Sequence, residues 1–183
     1  RHVSCTWISS SFAPASSAGA AKAAYKEPAE CFAGIGKIKY EGPASTNPLS
    51  FKHYDAESVI AGKKMKDWLR FAVCYWHTCR GSGADPCGFP TLVRDWDDGS
   101  NSIENAKRRV RVAFEFFTKL GVEFYCFHDR DVSPEGKTLV ETNKIFDEMS
   151  DYLLEMQKKT GVKLLWGTSN LFSAVRFMNG GST

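Results

Sequence analysis

The sequence predicts an α/β fold built on a parallel strand, helix, strand, helix, strand unit. Three short apolar runs rich in aromatic residues have the length and composition of strands, at 69–76, 123–128 and 163–168. Amphipathic helical patterns separate them, at 102–120 and 138–160. Such alternation is typical of a parallel sheet, and right-handed crossovers place both helices on one side of it. The unit is compatible with an open doubly wound sheet or with the first part of an eight-stranded barrel.

The three predicted strands are nearly continuous apolar runs, without a polar residue at every second position. This pattern is typical of strands covered on both faces, so we expect all three to be buried.

The two predicted helices have start and stop signals. The first begins at Asn101, with Glu104 three residues on, and the second begins at the capping-box pair Thr138 and Glu141. Each is followed by a glycine, which favours the left-handed backbone that commonly ends a helix. These glycines are Gly121 and Gly161.

The composition is that of an ordinary globular domain, with 183 residues, 43% of them hydrophobic and 25% charged. Residues 9–24 are rich in Ser and Ala and lack the continuous apolar core of a signal peptide. We therefore predict a flexible, disordered segment at 1–30, followed by one folded domain at 31–183.

Charge and hydropathy argue against two classes of partner. The net charge is +3, and the basic residues alternate with acidic ones, so the sequence predicts no nucleic-acid partner. No apolar stretch approaches the roughly 18–20 residues of a membrane span, so it predicts no membrane partner either.

The six cysteines show neither a CxxC pair nor the Cys/His spacing of a zinc site. Cys74 and Cys126 lie inside apolar runs, and we expect both to be small buried hydrophobes.

Polar and aromatic side chains follow each predicted strand. Trp76 follows the first, His128 and Asp131 the second, and Thr168 and Phe172 the third. The carboxyl ends of parallel strands meet at one edge of a sheet, so we expect these side chains to converge on one rim.

His128 is the leading candidate for proton transfer. An imidazole can move protons near neutral pH when a carboxylate holds its tautomer, and Asp131 can reach back to do so. Asp129 could compete for that role. His77 is a weaker candidate, because no carboxylate follows it closely. A structural or merely exposed histidine is the alternative interpretation of His128.

The aromatic side chains Trp76 and Phe172 could form the apolar walls of a sugar pocket, since the C–H faces of sugars pack on aromatic rings. They could equally close the core. Thr168 could orient a substrate or cap its loop.

Several ordered blocks resemble xylose isomerases. The segment 127–136, Phe-His-Asp-Arg-Asp-Val-Ser-Pro-Glu-Gly, resembles the histidine-containing signature of that family. Further blocks that resemble it are 34–42, 62–68, 96–99 and 165–168. The longer-type enzymes of plants and some bacteria are the most similar in pattern.

The resemblance implies a TIM (β/α) barrel, of which this chain would be the first part. It implies that His128 assists opening of an aldose ring by proton transfer and that Asp131 holds its imidazole. Trp76, Thr168 and Phe172 would bind the sugar, and the family would then convert D-xylose to D-xylulose by a metal-assisted hydride shift.

Two divalent ions, Mg²⁺ or Mn²⁺, are implied as cofactors of the full-length family. The Glu-Pro-Lys-Pro signature, the metal ligands and the catalytic lysine belong to the second half of its barrel, and none occurs in this chain. We therefore assign no metal ligands here and expect this chain alone to bind no metal.

Two hypotheses follow. The first is a segment of a xylose isomerase, and the second is a stand-alone half-barrel that acts as a binding or inhibitory module. Because open sheet edges favour association, we expect a homo-oligomer or a missing C-terminal half. Localisation stays open: cytoplasmic for a bacterial type, with a secretory route for a plant type.

Overall fold

The computed structural model describes residues 25–83 and 91–170. A short hairpin comes first, formed by β1 (Val59–Ile60) and β2 (Lys63–Lys64), and a single helical turn follows, α1 (Met65–Trp68). The remaining elements are β3 (Ala72–Cys74), a π-helical turn (Trp76–Arg80), α2 (Ile103–Leu120), β4 (Phe124–His128), α3 (Asp129–Val132), α4 (Leu139–Thr160) and β5 (Lys163–Thr168).

Strands β3, β4 and β5 form one parallel sheet in that order, with β4 in the centre. Strand pairing skips a residue of β5 after Leu164, so that Tyr125 pairs with Leu164 whereas Cys126 pairs with Trp166. The predicted α/β class and the predicted parallel unit are confirmed. Three parallel strands are also compatible with part of a TIM barrel, although the described residues do not enclose one.

The hydrophobic core lies between this sheet and the two long helices. Phe114 and Phe117 of α2 are fully buried, and the ring of Phe117 stacks on that of Tyr125 in β4 at 5.4 Å between centroids. Met149 of α4 joins the same cluster. Both helices therefore pack on one face of the sheet, as the crossover rule predicts.

The helix ends agree with the sequence, with one exception. Thr138 Oγ1 accepts a hydrogen bond from the Glu141 backbone N–H at 3.2 Å, and Gly121 and Gly161 end their helices with φ of 82° and 78°. The prediction of Asn101 as the first cap is wrong. Ser102 caps α2 by accepting from the Asn105 N–H at 3.1 Å, while Asn101 donates to the Glu135 carbonyl.

Two predictions about the strands are also wrong. The first strand spans only 72–74, because Tyr75 already has helical dihedral angles and leads into the π-helical turn. Strand β5 is exposed at all six residues, since it lies at the edge of the described sheet. Cys126 is buried as predicted, whereas Cys74 is only half-buried.

The segment before the first strand contacts α2. Glu27 forms a two-pronged ion pair with Arg111, with nitrogen–oxygen distances of 2.5 and 2.6 Å, and Glu30 lies 3.2 Å from Lys119. Residues 1–24 lie outside the described residues, so the predicted flexible segment stays a prediction. Among the described helices, none combines the length and the apolar character that a bilayer crossing requires.

Candidate active site

Four of the five predicted site residues lie at the carboxyl edge of the sheet. His128 is the last residue of β4 and pairs in register with Thr168, the last residue of β5. Trp76 opens the π-helical turn directly after β3, and Asp131 lies in α3. Phe172 lies outside the described residues.

His128 and Asp131 form one compact hydrogen-bonded unit. The carboxylate Oδ2 of Asp131 accepts the backbone N–H of His128 at 2.8 Å and lies 3.1 Å from the Nδ1 atom of its ring. Because Oδ2 is an acceptor here, a favourable ring contact needs the hydrogen on Nδ1. That tautomer leaves Nε2 with a free lone pair, the state that a general base requires.

Burial fixes the carboxylate and leaves the imidazole within reach. The side chain of Asp131 is 0% exposed, whereas that of His128 is 28% exposed. An orienting group needs a fixed position, and a proton-transfer group needs contact with its substrate. The buried Asp131 side chain suits the orienting role, and the partly exposed His128 ring suits proton transfer.

Asp129, the alternative partner of His128, is engaged elsewhere. Its Oδ1 accepts the backbone N–H groups of Arg130 and Asn170, both at 2.7 Å. Asp129 therefore connects the start of α3 to the loop after β5 and does not contact the imidazole through any described hydrogen bond.

Arg80 connects two of the strand ends, a role that the sequence reasoning missed. Its Nη1 donates to the Arg130 carbonyl at 2.6 Å, and its guanidinium carbon lies 5.9 Å from the centre of the Trp76 ring. Burial, together with the charge of Arg109, lowers the pKa of Arg80. Arg80 therefore holds the Trp76 turn against the turn that carries Asp131.

A buried polar cluster lies behind this rim. Tyr75 Oη, Arg109 Nε and Asp131 Oδ1 are inaccessible and have no hydrogen-bond partner among the described residues. Burial raises the pKa of Tyr75 well above its ordinary value. The charges of Arg109 and Asp131 also act on the Tyr75 hydroxyl, so these three buried groups interact electrostatically behind the rim.

Trp166 was also missed as a site residue. Its ring meets that of His128 edge to face at 5.9 Å between centroids, and it is 44% exposed. Its place two residues before Thr168 in one strand was a usable signal, because alternate residues of a strand share a face. Trp76, at 41% exposure, supplies a second aromatic surface on the rim.

Two cavities among the described residues are not lined by His128 itself. One, of about 530 Å³, lies between α4 and β5, where Phe146 and Leu164 line it, and it reaches the rim at Asp129, Thr168 and Asn170. The other, of about 620 Å³, lies at the amino ends of the strands, near Tyr54 and Phe124. The first cavity therefore adjoins the carboxyl edge of the sheet, whereas the second lies at its opposite end.

The described residues do not supply a divalent-metal site. No three His, Cys, Asp or Glu side chains come together in residues 25–83 and 91–170. A hard cation such as Mg²⁺ requires several convergent oxygen ligands. The residues present therefore do not fit the two-ion centre that the resemblance implies.

Comparison with known proteins agrees with the resemblance to xylose isomerases noted in the sequence. No family model matches the chain. It is 56% identical over 154 residues to the xylose isomerase of Hordeum vulgare, a match that covers 84% of this chain and 32% of that protein. The xylose isomerase of Rhodopirellula baltica is 57% identical over 152 residues, which cover 83% of this chain and 35% of the relative.

The chain is similar to xylose isomerases. The enzyme of Arabidopsis thaliana gives the same result, with 55% identity over 83% of the chain and 32% of that enzyme. The chain therefore spans about a third of the length of the xylose isomerases it matches. Identity at this level favours the segment hypothesis over an unrelated binding or inhibitory module.

Proposed function

We propose that this chain supplies the ring-opening portion of a xylose isomerase, the enzyme that converts D-xylose to D-xylulose. The observation that carries the proposal is the His128–Asp131 unit, in which a buried carboxylate contacts Nδ1 of a partly exposed imidazole at 3.1 Å. The similarity to xylose isomerases supplies the substrate class, an aldose sugar.

In the proposed mechanism His128 acts as a general base and then as a general acid. Its Nε2 removes the proton from the anomeric hydroxyl of the cyclic sugar. The bond between C1 and the ring oxygen then breaks, and the same proton is delivered to the ring oxygen. Asp131 stabilises the imidazolium that forms between these two steps, because its buried oxygen lies against Nδ1.

The aromatic rings on the rim are proposed to bind the sugar. Trp76 and Trp166 expose ring surface on either side of the His128 strand end, where they can pack on the C–H faces of a pentose. Thr168 lies beside His128 in the register of the sheet, so its hydroxyl can bind a sugar hydroxyl. Phe172 is proposed as a further apolar wall.

The metal centre of the reaction is proposed to lie on residues other than the described ones. Two Mg²⁺ or Mn²⁺ ions would polarise the sugar oxygens during the hydride shift. We infer that a complementary C-terminal half, or another subunit of a homo-oligomer, holds these ions.

A chimera tests the proposal. The matched 154 residues of the Hordeum vulgare enzyme are replaced by those of this chain, and turnover of cyclic D-xylose is measured. We expect the unchanged chimera to be active and His128→Ala to reduce kcat by about 10²- to 10⁴-fold, the usual cost of losing a general acid–base group.

His53→Ala is the matched control. His53 is an exposed histidine beside Tyr54, at the amino end of the sheet, away from the rim. We expect this change to leave kcat unchanged, and we expect both variants to bind Mn²⁺ as the unchanged chimera does. Equal turnover in His128→Ala and in the unchanged chimera would contradict the ring-opening role.

A further inference from the structure

Arg80 joins the turn after β3 to the turn after β4. Its Nη1 donates to the Arg130 carbonyl at 2.6 Å, and its guanidinium carbon lies 5.9 Å from the centre of the Trp76 ring. The side chain is half-buried, and a hydrogen bond shielded from water is stronger than one on an open surface. The two turns follow neighbouring parallel strands. Arg80 is therefore placed to act on both.

The sequence leaves the Arg130 carbonyl in need of a donor. In a continued α-helix this carbonyl would accept the N–H group of residue 134, but that residue is a proline and has none. The Ser133 N–H still bonds to the Asp129 carbonyl at 3.0 Å, and α3 ends there after a single turn. Arg80 supplies the donor that Pro134 lacks.

The peptide that Arg80 anchors also carries the orienting carboxylate. The Arg130 carbonyl and the Asp131 N–H belong to one planar peptide group, so a bond to the carbonyl fixes the direction of the whole group. From this peptide the Asp131 side chain reaches the backbone N–H of His128 at 2.8 Å and its ring Nδ1 at 3.1 Å. Two short contacts from one oxygen tolerate little rotation of the backbone. The Arg80 contact therefore acts on the geometry of the imidazole.

Charge connects the same side chains. Burial and the charge of Arg109 lower the pKa of Arg80, whereas the charges of Asp97 and Asp131 act in the opposite direction. Because Asp131 is 0% exposed, solvent does little to screen its attraction for Arg80. This attraction and the hydrogen bond to the neighbouring carbonyl favour the same arrangement of the two turns.

The π-helical turn determines where the Arg80 side chain begins. The Gly81 N–H closes this turn by bonding to the Trp76 carbonyl, five residues back, at 2.6 Å. A Cβ atom at Gly81 would lie only 2.9 Å from the His77 carbonyl oxygen, so the turn requires glycine at its end. Single π-helical turns are frequent at functional sites, where they redirect a side chain.

We propose that Arg80 is a positioning residue for the ring-opening step: through the Arg130 carbonyl it holds Asp131, and through Asp131 it holds the His128 imidazole, in the geometry for proton transfer. This inference rests on the proposed function of the chain. Loss of Arg80 should lower kcat, because it misplaces the group that transfers the proton. Its contact with Trp76, a proposed sugar-binding residue, should instead affect KM.

The test uses the chimera with the Hordeum vulgare enzyme and measures kcat and KM for cyclic D-xylose. Arg80→Met should lower kcat by about 10- to 10²-fold, the scale of a misplacement of about 1 Å at a reacting group. Arg80→Lys keeps a charged donor and should restore part of the lost kcat. Both variants should bind Mn²⁺ as the unchanged chimera does, which shows that the protein is assembled.

Arg108→Met is the matched control. Arg108 also donates to a backbone carbonyl, that of Trp96 at 3.4 Å, and its guanidinium carbon lies 5.0 Å from the centre of the Tyr25 ring. It lies on α2, and its described contacts include no residue of the rim. We expect Arg108→Met to leave kcat unchanged. An equal loss of kcat in the two methionine variants would contradict a specific role of Arg80.

A double-mutant cycle shows whether Arg80 acts through the imidazole. In a His128→Ala background, Arg80→Met should change the remaining kcat by less than about twofold, because the group that it positions is already absent. Asp131→Ala is a second background and should give the same result. If Arg80→Met lowers kcat equally with and without His128, Arg80 does not act through the imidazole and the proposal is wrong.

The same measurements separate this inference from the proposed function. If His128→Ala alone leaves turnover unchanged, the ring-opening role fails, and the role of Arg80 fails with it. If His128→Ala slows turnover but Arg80→Met does not, only the positioning role of Arg80 is overturned.

Discussion

The two faces of the parallel sheet differ in what they do. The face toward α2 and α4 is closed, with Tyr125 and Phe127 at 0% and 7% exposure. The opposite, open face carries Trp166 and His128, with Trp76 on the rim after β3, and all three side chains are accessible. The stability of the unit therefore comes from one face, while the groups able to bind and to transfer protons lie on the other or at its rim.

The two faces also differ in how strictly packing restricts their side chains. The closed face requires side chains of matched shape, since interiors pack at crystal-like density. The open face has no such demand in the described residues, so its aromatic rings and imidazole can be selected for a ligand.

The largest expected effect is on the closed face. Phe117→Ala should lower the free energy of unfolding by about 3–5 kcal/mol, because Phe117 is fully buried and stacks on Tyr125. The matched control, Trp166→Ala on the open face, should cost less than about 1 kcal/mol. Urea unfolding measures both, and equal losses would break the distinction between the faces.

Asp131→Ala tests the rim, where the faces meet. The change leaves the His128 backbone N–H without its acceptor and should cost about 1–3 kcal/mol in urea unfolding. Asp131→Asn keeps an oxygen acceptor and should cost less. In ¹⁵N NMR spectra, neutral His128 of the unchanged chain should carry its hydrogen on Nδ1, and this preference should weaken in Asp131→Ala. An unchanged tautomer would mean that Asp131 does not orient the ring.

Acid pH tests a polar contact at the start of α2. Burial alone would raise the pKa of Asp97, but hydrogen bonds from Asn105 and from the Gly99 N–H, with the charge of Arg109, lower it. Since the folded pKa lies below the unfolded value of about 3.9, Asp97 stabilises the fold above that pH, and this contribution is lost as the pH falls through the folded pKa.

Asp97→Asn should therefore cost about 1–2 kcal/mol at pH 6 and progressively less below pH 4. Urea unfolding across this range gives the difference between the two proteins. Asp95→Asn, at an exposed position two residues earlier, is the matched control and should change the free energy of unfolding by less than about 0.5 kcal/mol. A constant difference for Asp97→Asn would indicate that its charge does not matter.

The smallest expected effect concerns Arg80. Arg80→Met removes the hydrogen bond to the Arg130 carbonyl and the contact with Trp76, but it also relieves repulsion from Arg109. We expect a net loss of at most about 1 kcal/mol, with a clear change in Trp76 fluorescence measured against Trp76→Phe. Arg80→Lys keeps the charge and should give a smaller change. If Trp76 emission were unaltered in Arg80→Met, Arg80 would not hold the Trp76 turn against the α3 turn.

The sequence predicted the helices well, because their signals are local. Apolar periodicity and the Thr138 cap determine α4 without reference to the rest of the fold. Burial of β5 could not be predicted in this way, since it depends on which elements cover the strand. The same pattern of apolar residues fits a central strand and an exposed edge strand.

The site was predicted in part for a related reason. His128 and Asp131 are three residues apart, so one turn of chain brings them together. Arg80 contacts Arg130 across 50 positions of sequence, and no local pattern indicates that contact. Trp166 could have been found from the sequence, because it lies two residues before Thr168 in the predicted strand and alternate residues of a strand share a face.

The skipped residue in β5 reverses which side chains of that strand point to each face of the sheet. With uninterrupted pairing, His128 would lie opposite Gly167, and Trp166 would lie opposite Phe127 on the helix side. Leu165 is the extra residue, and beyond it every side chain of β5 changes sides. This one inserted position therefore decides whether Trp166 and Thr168 point toward the helices or toward His128. Deleting Leu165 should turn both side chains toward the helices, although no residue of the rim is changed.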